Sequence, residues 1–135
     1  MPSVITALIA LVLALQCQGL PLENAGQAPS QAGEASWYGP GYFGQHMSNG
    51  DILTTETVGI AHRTLPLGSW VRLTSRYGST VVQVTDRGPF GYEQRIVDLT
   101  PRVADVIMGG HYGYTSDGIP YGMVEVTLYE CPATH

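Results

Sequence analysis

Residues 70–90 read WVRLTSRYGSTVVQVTDRGPF, and this stretch decides the fold. Trp70–Thr74 and Thr80–Thr85 alternate apolar with polar side chains at a period of two and are rich in β-branched residues, the pattern of strands buried on one face. Ser75–Ser79 between them has the length and composition of a hairpin connection. After Thr85 the chain reads Asp86-Arg87-Gly88-Pro89, where glycine and proline end the ladder and leave an aspartate at a rigid rim.

Outward from this hairpin the punctuation stays that of a β domain. On the amino-terminal side Ala35-Ser36-Trp37-Tyr38-Gly39 is a short aromatic strand, closed by Gly39-Pro40-Gly41 and followed by a glycine-rich loop through Asn49-Gly50 that lets backbone approach a ligand. On the carboxyl-terminal side the spacing predicts one helix, Pro101–Met108. Thr100 can cap it, Pro101 suits its first turn, Val103, Val106 and Ile107 share a face, and Gly109-Gly110 ends it. Met123–Tyr129 alternates again and closes the domain as a strand. No internal repeat or second hydrophobic unit suggests another domain.

Composition bounds the function classes. The chain has 135 residues with 44% hydrophobic and 13% charged, enough apolar material for one core and too little charge for a disordered chain. Its 17 glycines and 9 prolines argue for many tight turns. The net charge is −5 and all six basic residues are scattered arginines, so nucleic acid is not an expected partner.

Val4–Leu15 is an apolar run of export-signal length, too short for a comfortable membrane span, so no transmembrane segment is expected in the mature protein. Residues 1–20 therefore read as a signal peptide, 21–33 as a flexible linker and 34–130 as the domain. The product is exported, to the periplasm, the cell envelope or the medium. Cys17 stands where a lipoprotein carries its acylated cysteine, but Ala14-Leu15-Gln16 meets the small-residue requirement poorly, so a lipid anchor is not indicated. Cleavage after Cys17 would leave Cys131 alone, and no stabilising disulfide is expected.

Five motifs in order, Ala35-Ser36-Trp37-Tyr38-Gly39, Ser48-Asn49-Gly50-Asp51, Ala61-His62-Arg63-Thr64-Leu65-Pro66-Leu67-Gly68, Asp86-Arg87-Gly88-Pro89-Phe90 and Ile96-Val97-Asp98-Leu99-Thr100, resemble the RlpA-like double-psi β-barrel family from Gly33 to about Val126. The resemblance implies an all-β fold, a small six-stranded double-psi β-barrel with one short helix. It also implies a surface groove for peptidoglycan glycan strands and a lytic transglycosylase activity that leaves 1,6-anhydroMurNAc ends. The family's acidic and histidine residues map onto Asp86, Asp51 and His62. Asn49 and Arg87, beside the acidic residues, fall in the expected substrate-binding set. A barrel closes its own edges, so a monomer is expected. Relatives usually have glutamate where this chain has Asp51, and Thr-Ala where it has Met47-Ser48.

The chemistry suits these residue types. Glycosidic cleavage needs a carboxylic acid to protonate the leaving oxygen, and hydrolysis needs a second carboxylate. In a lytic transglycosylase the 6-hydroxyl of the muramic sugar attacks its own anomeric carbon, so one residue can serve first as acid and then as base, without metal or cofactor. On that reading Asp86 is the acid and base, Asp51 a second acidic group, and His62 positions the sugar. Aspartate in place of glutamate retracts the carboxyl by roughly 1 to 1.5 Å, which costs on the order of a hundredfold if that group transfers a proton.

Each residue also has a plainer reading. Asp86 and Asp51 fit turn positions bonded to their own backbone, and His62 fits a satisfied, partly buried histidine. Arg87 is a candidate clamp that would hold the Asp86 carboxylate ionised. Tyr38, Tyr42 and Phe90 are expected to stack on sugar rings, with Trp37 equally suited to the core. His46 and His111 lack metal-ligand spacing and receive no site. Two alternatives to the enzyme remain: a non-catalytic, expansin-like module that binds or loosens glycan, and a scaffold for a protein partner.

Overall fold

The computed structural model describes Cys17, residues 29–38 and residues 40–131. Six strands close a barrel: β1 (Gln31–Trp37), β2 (Ile60–His62), β3 (Trp70–Thr74), β4 (Ser79–Asp86), β5 (Arg95–Leu99) and β8 (Val124–Glu130), in the order β1-β5-β2-β4-β3-β8. Two parallel pairs, β1 with β5 and β2 with β4, are interlocked by antiparallel neighbours. The hairpin of β3 and β4 pairs Trp70 with Gln83 and Thr74 with Ser79, as its alternation predicts. The all-β barrel with one short helix is thus the observed architecture.

The barrel is filled by the inward-facing residues of every strand. Val71, Leu73, Val82, Val84, Val97, Leu99 and Leu128 are essentially inaccessible to water, and each such side chain contributes about 1.5–3 kcal/mol by leaving it. The helix α1 (Pro101–Ile107) covers the barrel with Val103, Ala104 and Ile107, whereas Val106, expected on the buried face, is 43% exposed. Thr100 precedes α1 but makes no side-chain cap; its hydroxyl instead accepts from the Gly59 amide at 3.2 Å. Gly109, at φ 59°, ends the helix in the left-handed conformation that glycine adopts without steric cost.

Three features differ from the sequence expectation. β1 begins at Gln31, so the last residues of the expected 21–33 linker are paired strand, with Gln31 opposite Leu128 of β8. Residues 113–121, where the sequence predicts no strand, form a small hairpin of β6 (Gly113–Tyr114) and β7 (Pro120–Tyr121). Cys17 and Cys131 form a disulfide with their Cα atoms 4.9 Å apart, correcting the expectation of none. The rest of the expected export signal and the Gly39 end of the aromatic strand lie outside the described residues.

The topology sets one row of residues across four strands. Ser36 of β1 pairs with Asp98 of β5, Asp98 with Ala61 of β2, and Ala61 with Asp86 of β4. A close approach makes this row possible: a Cβ on Gly59 would sit 2.3 Å from the Thr85 hydroxyl, so only glycine fits between β2 and β4 there.

Candidate active site

Asp86 ends β4, and its carboxylate is gripped from three directions. Oδ2 accepts from the Tyr38 hydroxyl at 2.7 Å. Oδ1 accepts from the Ser48 amide at 2.9 Å, the Ser48 hydroxyl at 2.7 Å and the Arg87 amide at 2.8 Å. Burial alone would raise its pKa, but the bonds from Tyr38, Ser48 and Arg87 outweigh that and hold the carboxyl below its usual range. Asp86 is therefore ionised at neutral pH.

Tyr38 is not the stacking platform expected of it. It lies just beyond β1, its amide bonded to the Leu99 carbonyl, and its ring is buried beside Ala61, Met47 and Leu53. The small Ala61, between Asp98 and Asp86 in the strand row, lets the ring pass toward Asp86. Burial, and then the hydrogen bond to Asp86, push the Tyr38 hydroxyl far above the ordinary tyrosine range, so it stays protonated and donates. Tyr42 is 55% exposed and sits edge-on to Tyr38 at 5.9 Å, leaving a ring face free for a ligand.

The loop before Asp51 is built to present Ser48. Its ends are tied by Gly44 to Leu53, Leu53 to Gln45 and Met47 to Asp51 backbone bonds, and the Asn49 amide reaches the Thr85 carbonyl. Asn49 and Asp51 form a local turn: the Asp51 amide donates to Asn49 Oδ1 at 3.0 Å and Asn49 Nδ2 donates to Asp51 Oδ2 at 3.1 Å. Both are exposed in the same loop that holds Asp86, with the Asp51 carboxylate partly committed to its neighbour.

His62 is buried, and both ring nitrogens are used internally. Nδ1 accepts from the Thr64 and Leu65 amides at 3.1 Å each, which requires the Nε2 hydrogen to face Gln31 Oε1 at 2.9 Å. Burial first, then Arg87 and Arg63, lower its pKa, so the ring is neutral. The Arg87 guanidinium does not clamp Asp86; Nη1 donates to the His62 and Leu65 carbonyls, and only the Arg87 amide reaches the carboxylate. Arg63 ties the following loop by donating to the carbonyls of Pro89, Tyr92 and Arg95. Phe90, on that loop, is 71% exposed.

A cleft of about 40 Å³ opens at the carboxylate, walled by Asp86, Tyr38, Tyr42, Gln45, His46, Met47 and Leu53. Of the residues expected from the sequence it brings together Asp86, Tyr38 and Tyr42; Asp51, His62, Asn49, Arg87 and Phe90 stand outside it. Gln45 and His46 are additions that no local pattern marked, and Ser48 had registered only as a departure from Thr-Ala. A wider groove of about 760 Å³ runs over β1, the β3–β4 turn and β8, but its only carboxylate is Glu125. Among the described residues no cluster of three or more His, Cys, Asp or Glu could hold a metal ion, and no helix is long and apolar enough to cross a membrane.

Known proteins are similar to this chain in sequence. The endolytic peptidoglycan transglycosylase RlpA of Vibrio cholerae serotype O1 is 45% identical over 73 residues, 53% of this chain and 27% of that protein. RlpA of Pseudomonas aeruginosa is 38% identical over 104 residues, 76% of this chain and 29% of the relative. A probable RlpA of Synechocystis is 44% identical over 79 residues, 57% of this chain and 24% of the relative. The chain thus matches between 24% and 29% of the length of these relatives. A family model described as lytic transglycolase matches residues 30–119, from the edge of β1 through Asp86 to the β6–β7 hairpin, and the chain belongs to that family, with an RlpA-like double-psi β-barrel as its fold.

Proposed function

We propose that this domain is a peptidoglycan lytic transglycosylase that cleaves the MurNAc–GlcNAc bond and leaves 1,6-anhydroMurNAc ends. The observation that carries the reading is the Asp86 carboxylate, fixed by its four hydrogen bonds at the wall of a cleft beside an exposed tyrosine. An ionised, immobilised carboxylate is suited to take the proton from the 6-hydroxyl of the muramic sugar as that oxygen attacks the anomeric carbon. No water is consumed, so no second carboxylate at fixed separation is required.

The remaining roles are part of the same reading. Tyr42, and the exposed Phe90 on the loop after Asp86, offer ring faces to the sugars. Asp51 and Asn49, exposed on the loop that holds Asp86 but outside the cleft, orient the strand. His62 and Arg87 position the site by holding residues 62–65 beside Asp86. Export is part of the proposal. A signal that ends ahead of Cys17, in place of the expected 1–20, leaves the Cys17–Cys131 bond in the mature domain, and such a bond persists in the oxidising envelope. The same bond occupies the sulfur that a lipid anchor would need.

Mass spectrometry of products released from purified peptidoglycan, with and without stem peptides, tests the reading. Anhydro-ended products from the wild type that vanish in Asp86→Asn are expected. Reducing ends would show a hydrolase, and retention on glycan without any release would show the expansin-like binding module.

A further inference from the structure

The hairpin of β6 and β7 belongs to no barrel ladder, yet with the residue before it this short stretch carries three of the chain's eight tyrosines. It stands where the chain leaves α1 and enters β8. Because Val124, the first residue of β8, pairs with Ala35, that place is the carboxyl end of β1. Two aromatic groupings therefore meet at the end of β1. Tyr38 walls the Asp86 cleft with Tyr42 edge-on to it, and Trp37, one residue earlier, packs against the hairpin.

The second grouping is held as firmly as the first. Trp37 lies edge-on to Tyr112 at 4.8 Å and to Tyr114 at 5.5 Å, and its indole N–H donates to the Tyr121 carbonyl at 2.9 Å. Tyr112 is tied to α1, its hydroxyl donating to Asp105. Gly122 makes the close approach possible: a Cβ there would sit 2.5 Å from the Tyr112 Cβ and 3.2 Å from the Trp37 indole nitrogen. Across the hairpin the Tyr121 phenol lies against Gly113, its partner in the ladder.

These contacts leave ring surface open to a ligand. An edge-on neighbour covers at most one face of a ring, and Tyr114 and Tyr121 remain 40% and 50% exposed. Rings already immobilised by packing lose little freedom when a ligand settles on them. A tyrosine, apolar across its face and polar at its tip, matches a sugar, which has C–H groups on its faces and hydroxyls at its edge.

We propose that Tyr114 and Tyr121 form an accessory subsite for the glycan strand, holding sugars beyond those bound at Asp86. The assignment rests on the transglycosylase reading of the cleft. Continuity identifies the occupant. Tyr42 meets Tyr38, and Trp37 meets Tyr114, so the aromatic contacts run around the end of β1 with only the peptide bond between residues 37 and 38 joining the two halves. A linear polymer of sugar rings is a ligand that occupies both halves at once. Its hold on the hairpin raises its effective concentration at the cleft, so the subsite sets a preference for long strands without touching the reacting atoms.

The test compares the wild type with Tyr114→Ala/Tyr121→Ala and Tyr114→Phe/Tyr121→Phe double variants on peptide-free glycan, supplied as long strands and as a tetrasaccharide. On long strands the alanine variant should show KM raised about 10-fold or more at unchanged kcat. On the tetrasaccharide its KM and kcat should match the wild type. The phenylalanine variant keeps the ring faces and should retain most of the affinity for long strands. An unchanged KM in the alanine variant on long strands overturns the subsite. A loss of equal size on both substrates overturns it as well, by showing that the two rings only support the fold of the cleft. A wild type that forms no anhydro ends from either substrate overturns the underlying reading, and the subsite with it.

Discussion

Ser48 shows how a single side chain can retune a site. Its hydroxyl donates to Asp86 at 2.7 Å, alongside the Ser48 amide that any residue would supply. Ser48→Ala should therefore let the Asp86 pKa rise toward its ordinary range. Because the folded pKa lies below the unfolded one, the stability Asp86 contributes is present above the unfolded value and is lost as pH falls through the folded one. The variant should lose about 1 kcal/mol at pH 7, with little difference from wild type once both are acidified. Urea unfolding at pH 7 and pH 3 reads the stability, and the acid limb of activity should move to higher pH; an unmoved limb would show that the hydroxyl does not tune Asp86. The sequence exposed Asp86, Asp51 and His62 as candidates because each sits in a recognisable motif. It could not show that Tyr38 donates instead of stacking, or that His62 is saturated, because the partners lie 48 and 31 residues away.

The strands differ in how much of themselves they reveal. β3 and β4 were legible to within a residue or two because each has one wet face, and the closing strand β8 shifted by a single position for the same reason. β2 has three residues, all buried, and β5 is covered on parts of both faces, so neither shows the alternation that marks a strand. Both matter to the site, since β2 lies between Asp98 and Asp86. Its entry depends on Gly59, where an added Cβ would meet the Thr85 side chain at 2.3 and 2.8 Å. Gly59→Ala should cost about 1–3 kcal/mol by overpacking, and Thr85→Ala in the same chain should recover part of it. A double-mutant cycle in thermal or urea unfolding checks this. Strict additivity would place the strain elsewhere than at the β2–β4 crossing.

At the scale of the molecule Cys17 and Cys131 meet, and the sequence could not say so. Cys17 looked like part of an apolar export run and Cys131 like an orphan, because their proximity depends on Gln31 of β1 pairing with Leu128 of β8 and on the Cys131 amide bonding Trp70 of β3. Once those strands pair, the cysteines are 114 positions apart in sequence but joined in space. A cross-link closing so long a loop removes many conformations from the unfolded chain, on the order of 4–5 kcal/mol in the chain-entropy account. Cys131→Ser, or reduction of the wild type, should lower stability toward that amount, reaching about 2–5 kcal/mol once relaxation of the unfolded reference is allowed for. The barrel itself should survive at moderate temperature, since its core and closed ladder do not involve either sulfur. Urea midpoints with and without reductant, together with the number of free thiols in the native protein, decide the matter. Equal midpoints with two titratable thiols would mean that the cross-link adds nothing to the stability that the β1–β8 pairing already gives.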